Sequence, residues 1–95
     1  MSNTASAKTY VHVSVEFDDT GRMHPTSILW EDGTHYEIDR VMDVRPAYAA
    51  RAGGQGDRYT IMVRGIQSYL FFERSTNLTG NNIGRWFVER RRVNG

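Results

Sequence analysis

The stretch M-H-P-T-S-I-L-W-E-D-G-T-H-Y-E-I-D-R-V-M-D-V (residues 23–44) decides the fold class. Asp32-Gly33 sits between two runs rich in apolar and β-branched residues. Asp-Gly is a strong hairpin signal because a two-residue type I′ turn needs positive φ at both central positions. Such a turn predicts antiparallel strands over 23–30 and 34–45, pairing Trp30 with His35, Leu29 with Tyr36, Ile28 with Glu37 and Ser27 with Ile38. In that register Leu29, Tyr36 and Ile38 form the core face, continued by Met42 and Val44, and Trp30 lies beside His35 on the other face. Pro25 suits an edge position or the first residues of its strand.

Toward the N-terminus the same logic continues. Val11, Val13, Val15 and Phe17 alternate with His12, Ser14 and Glu16, the period of a half-buried strand over 8–17, and Asp18-Asp19-Thr20-Gly21 is a turn cluster. Toward the C-terminus Pro46 ends the strand, and Ala47-Tyr48-Ala49-Ala50-Arg51-Ala52 holds enough Ala for one helical turn closed by Gly53. R-A-G-G-Q-G-D-R (51–58) reads as a flexible connection; its glycines and flanking arginines suit an anion, but it has no Walker Lys-Ser/Thr and opens no helix. Gly65-Ile66 suits a type II′ turn, setting Arg64 opposite Gln67, Met62 opposite Tyr69 and Ile61 opposite Leu70. Both faces of this second hairpin are apolar: Tyr59, Ile61, Val63, Leu70 and Phe72 line one, Met62, Tyr69 and Phe71 the other. S-T-N-L-T-G-N-N-I-G (75–84) is turn-forming throughout, and 85–90 is a last strand whose Trp86 and Val88 look toward the core.

About six strands joined mainly by tight turns predict an all-β chain, a single small antiparallel meander curled into a barrel or roll, with one three-stranded sheet folded over another as the nearest variant. The expected organisation is a disordered tail over 1–7, one β-domain over 8–90 and a basic tail over 91–95. Ninety-five residues suit one core rather than two, and 39% hydrophobic with 24% charged residues describes a chain that folds. No Cys is present, which excludes disulfides, thiolate metal sites and a Cys nucleophile; with no apolar run long enough for a membrane span and no apolar leader, the expected location is cytoplasmic.

The formal charge of +1 conceals two halves. Residues 1–44 hold three basic and eight acidic side chains, net −5, and residues 45–95 hold nine and three, net +6. Eleven of the twelve basic residues are Arg, whose planar fork matches phosphate and carboxylate, although a GC-rich genome produces the same bias. Arg51, Arg58, Arg85 and Arg90 are the candidate anion or nucleic-acid contacts. In G-R-W-F-V-E-R-R-R (84–92) aromatics interleave with arginines as they do where bases stack on rings, yet the same segment reads as a closing strand with a solvated basic end. Met62, Tyr69 and Phe71 serve equally as a closed barrel wall or as a partner interface. His12, His24 and His35 show no HxH or HExxH spacing and read as solvent-facing strand residues, so no catalytic, metal or cofactor site is expected, and an enzyme is the least favoured class.

W-E-D-G-T-H-Y-E-I-D-R-V-M-D-V (30–44), R-Y-T-I (58–61), Y-L-F-F-E (69–73) and G-R-W-F-V-E-R (84–90) resemble a group of small uncharacterised bacterial β-domain proteins over about residues 10 to 90. Some of those proteins are encoded beside translesion DNA polymerases, so the resemblance implies a DNA-damage context; it supplies no catalytic residue. The leading expectation is a small binding or accessory domain that touches single-stranded nucleic acid through its Arg-rich half, or that serves a protein partner. The alternative is a homodimeric structural or regulatory protein with no nucleic-acid contact.

Overall fold

Strand-forming alternation runs through nearly the whole chain, and the computed structural model, which describes residues 6–49, 54–75 and 81–91, is all-β. Seven antiparallel strands form: β1 (Ser6–Phe17), β2 (Met23–Leu29), β3 (His35–Glu37), β4 (Arg40–Ala49), β5 (Gly54–Val63), β6 (Ile66–Arg74) and β7 (Gly84–Arg91). They make one curled sheet in the order β3-β2-β1-β7-β6-β5-β4. The meander is therefore interrupted, because β7 inserts between β1 and β6 and pairs the last strand with the first.

Two segments create the curl. The first half of β1 pairs with β7, from Ser6 opposite Arg91 to Val11 opposite Trp86; its second half pairs with β2, from His12 opposite Leu29 to Phe17 opposite Met23. At the other end, the expected 34–45 strand divides into β3 and β4, which is why there are seven strands and not six. The Ile38 amide donates to Thr26 O of β2 at 3.0 Å, and the next amide, of Asp39, donates to Met62 O of β5 at 2.8 Å. Consecutive amides of an extended chain point to opposite sides. At this corner the two ends of the strand order are therefore drawn together, and the sheet becomes a half-barrel.

The concave face carries the core. Ile28, Tyr59, Ile61, Leu70, Phe72 and Trp86 are buried together, flanked by Val11, Val13, Val15, Tyr36, Ile38 and Val88 among others. Trp86 packs against Tyr59 with centroids 5.1 Å apart and against Phe72 at 4.9 Å, so this indole faces the core, as its phase on the last strand predicts.

Both tight-turn readings need correction. The Asp32-Gly33 loop is not type I′. Gly33 N donates to Trp30 O and Trp30 N to Thr34 O, and only Gly33 has positive φ, at 89°; this is a type I turn followed by a left-handed Gly bulge, with Asp32 Oδ1 accepting from Thr34 N. The extra loop residue shifts register by one, placing Ile28 opposite Tyr36 and Leu29 opposite His35. Since side chains alternate with period two, that shift sends Ile28 and not Leu29 into the core with Tyr36, and takes Trp30 away from His35. The second loop turns at Arg64-Gly65, with φ of 51° and 75°, so Val63 pairs with Ile66 and Ile61 with Ser68. That register differs from expectation by two residues, which leaves every side chain on its expected face.

The Ala-rich segment corrects a third reading. Pro46 does not end the strand: β4 continues to Ala49, pairing Pro46 with Asp57 and Ala49 with Gly54, and no helical turn begins at Ala47. β4 is the last strand in the order, so Pro46 can occupy it at no cost to a second ladder. Met42 is the additional residue of a β4 bulge between Val41 and Asp43 and is exposed, as is Val44 at this edge, so neither is buried in the core. β1 begins at Ser6, inside the segment expected to be a tail, and β7 reaches Arg91.

Candidate nucleic-acid interface

The convex face of the sheet bears a row of aromatic rings and cations drawn from four strands. Cross-strand registry builds it: Arg58 of β5 is opposite Phe71 of β6, Phe71 is opposite Phe87 of β7, and Phe87 is opposite Tyr10 of β1. Directly opposed residues on one face lie within contact distance. Phe71 and Phe87 stack with centroids 5.0 Å apart and planes 7° from parallel, and Tyr10 meets Phe87 edge-on at 5.9 Å. Tyr69 continues the row along β6.

Each end of the row is flanked by a cation over a ring. The Arg58 guanidinium lies 4.7 Å from the Tyr69 centroid, Arg85 3.4 Å from Tyr10, and Lys8 Nζ 4.7 Å from Phe87. Glu73 organises one end, accepting from Lys8 Nζ at 2.6 Å and from Tyr10 Oη at 2.9 Å. The Lys8 hydrogen bond holds the Glu73 carboxyl below its ordinary value against the opposing effect of its own burial, with Tyr10 assisting. Phe87, 5% exposed, is the covered centre of this face, whereas Tyr10 at 39% and Tyr69 at 45% present ring surface to solvent.

Of the four arginines singled out from sequence, Arg58 and Arg85 both lie on this face, each over a different ring. Neither has an ion-pair partner among the described residues, and Arg58 Nε is buried with no hydrogen-bond acceptor. Arg90 is elsewhere, over the Trp30 ring at 4.9 Å and paired with Glu31 at 3.3 Å, because one strand residue in two points the other way. Arg51 lies outside the described residues. The Gly-rich segment is in part strand: Gly54 to Arg58 belong to β5, and a Cβ on Gly56 would sit 2.1 Å from Phe72 O, so close approach of β6 accounts for this glycine. The acidic half neutralises only some of the basic one. Glu31 meets Arg90 and Asp43 meets Arg45 at 2.7 Å, while Glu37 and Asp39 form no ion pair with Arg58 or Arg85.

Met62, Tyr69 and Phe71 share the convex face, since Met62 opposes Gln67 and Thr60 opposes Tyr69. Lys8, Tyr10 and Phe87 were missed from sequence. The alternation of β1 places Lys8 and Tyr10 on the polar phase with His12, but their meeting with Phe87 and Glu73 depends on β7 pairing with β1. His24 turns to Asp18, Nε2 to Oδ2 2.7 Å, and this contact, with Thr20 and the Arg22 amide, holds the Asp18 carboxyl well below the usual range. His12 and His35 both lie opposite Leu29, on β1 and β3, and no three His or carboxylate side chains converge among the described residues. Among the described residues no helix is long and apolar enough to cross a membrane.

In comparisons with known proteins, no family model, no curated protein and no solved structure matches the chain. What it does is therefore read from its own side chains.

Proposed function

We propose that this protein is a non-enzymatic binding domain that holds single-stranded nucleic acid on its convex face, as an accessory to a larger assembly. One observation carries the reading: the row Tyr69, Phe71, Phe87, Tyr10 is flanked by Arg58, Lys8 and Arg85 on a sheet face with no helix over it among the described residues. Sequence-tolerant single-strand binders combine ring surfaces for base stacking with cations that follow the phosphates. Exposed Tyr10 and Tyr69 supply the stacking surfaces here, and Arg58 and Arg85, which form no ion pair among the described residues, the phosphate contacts. A DNA-damage setting fits this reading.

The test is a low-salt fluorescence-anisotropy titration of a labelled single-stranded thymidine oligonucleotide, repeated across salt concentrations. Affinity should fall as salt rises, and the Arg58→Ala, Arg85→Ala double variant should flatten the log-log salt slope by about 1.4, from about 0.7 per lost phosphate contact. Tyr10→Ala should weaken binding by about 1–3 kcal/mol. Absence of binding at high micromolar protein ends this reading.

The second reading, a homodimer, rests on Met62, Tyr69 and Phe71 lying on the same face, with Tyr69 exposed. It requires a mass that rises with protein concentration and varies little with salt, and Tyr69→Lys should abolish that rise.

A further inference from the structure

Where β6 and β7 part, the structure contains a cleft of about 730 Å³. Their ladder runs only from Arg74 opposite Gly84 to Phe71 opposite Phe87, although β6 extends back to Ile66 and β7 on to Arg91. β6 remains bound to β5 as far as Ile66, and β7 to β1 as far as Arg91, so each strand follows its other neighbour and the two separate. The opening has an apolar floor of Ile28, Ile61, Val63 and Val88.

Two arginines stand on its rim. Arg64 lies over the Tyr36 ring at 4.8 Å, and Arg90 over Trp30 at 4.9 Å. Glu31 engages Arg90 at 3.3 Å, whereas Arg64 has no ion-pair partner among the described residues. Glu89 also borders the cleft, but it opposes Lys8 on the convex phase of β7. A guanidinium resting on a ring face keeps its edge N–H donors directed outward, the geometry that takes a carboxylate bidentately. Arg64 stands in the tight β5–β6 turn, with φ 51°.

We propose that this cleft is a binding site for a small amphipathic carboxylate, its apolar body on Val63, Val88 and the edge of Ile28 and its anionic head on Arg64, with Arg90 as the second cation. The volume falls within the roughly 300–1,000 Å³ of small-molecule pockets, which are likewise mostly apolar with a few directing polar groups. Charge complementarity selects the head group: Arg64, with no ion-pair partner among the described residues, favours an anionic head over a cationic one, and a neutral amphiphile gains only the apolar contact. The site adjoins the nucleic-acid face, sharing Tyr69 and Phe71 at its border, while its two rim cations lie off the aromatic row.

The experiment is calorimetric titration of the full chain with decanoate, decanol and decyltrimethylammonium below their micellar concentrations, then with the Arg64→Asn variant. Asn removes the charge yet tolerates positive φ, so the turn is kept. Decanoate should bind saturably at one per chain, and decanol and the ammonium should bind at least tenfold more weakly. Arg64→Asn should weaken decanoate ten- to a hundredfold, the range for losing one charge-assisted hydrogen bond, with no loss of thermal stability. Tyr10→Ala should leave decanoate affinity unchanged. No saturable binding up to millimolar decanoate, equal affinity for all three probes, or full decanoate affinity in Arg64→Asn each overturns the proposal.

Discussion

Replacing Gly56 by Ala distinguishes two accounts of the Gly-rich segment by the sign of its effect. Were 51–58 an unpaired connection throughout, Ala would restrict the unfolded chain and stabilise the protein by about 0.4–1 kcal/mol. In the structure Gly56 is opposite Ala47 on one side and Glu73 on the other, and an added Cβ meets Phe72 O at 2.1 Å, Phe72 C at 3.1 Å and Glu73 Cα at 3.3 Å. All three obstructing atoms are backbone, so no side-chain rotation relieves the overlap. β5 must move away from β6 by about an ångström, which adds an overpacking cost of about 1–3 kcal/mol to the loss of one or two ladder hydrogen bonds at about 0.5–1.5 kcal/mol each. The expected destabilisation is about 2–4 kcal/mol, or a fall of roughly 10–25 °C in Tm for a domain of this size. Urea and thermal unfolding followed by circular dichroism measure it. A variant as stable as the parent, or more so, refutes the close-approach argument and with it the assignment of residues 54–57 to β5.

Leu70 is fully buried between Tyr59 and the rest of the core, so Leu70→Ala should cost about 2–5 kcal/mol in chemical denaturation while leaving the convex face in place; a cost under 1 kcal/mol would show that the half-barrel is not closed over it. Glu73→Gln should remove about 1 kcal/mol at neutral pH through loss of the Lys8 ion pair. Because the folded-state value of Glu73 lies below its unfolded value, its stabilisation is present above the unfolded value and is lost as pH falls through the folded one. The stability difference between parent and Glu73→Gln should therefore be largest near pH 7 and vanish in acid; a difference that grows on acidification would reverse the assigned sign.

Some of this was legible one residue at a time. The alternation Val11-Val13-Val15 and Tyr59-Ile61-Val63 fixes which side chains share a face, and Gly33 and Gly65 mark two of the reversals, because both are consequences of local backbone geometry. The same Gly-containing turn occurs at Asp18 to Gly21, where Gly21 N donates to Asp18 O and φ of Gly21 is 86°. The pair of four-residue patterns ending in Gly was thus a readable signal for a left-handed Gly at the fourth position, and with it for the one-residue register that puts Ile28 inside. Which strands become neighbours was not readable in this way. No local preference of Phe87 points to Tyr10 on one side and Phe71 on the other; that meeting requires β7 to enter between β1 and β6. Nor does any local pattern in 88–91 announce separation from β6, which follows from each strand's stronger attachment to its other neighbour. Propensity and alternation act over a few residues and set the faces; the aromatic row and the cleft arise from pairings between residues more than a dozen positions apart, which only the folded chain decides.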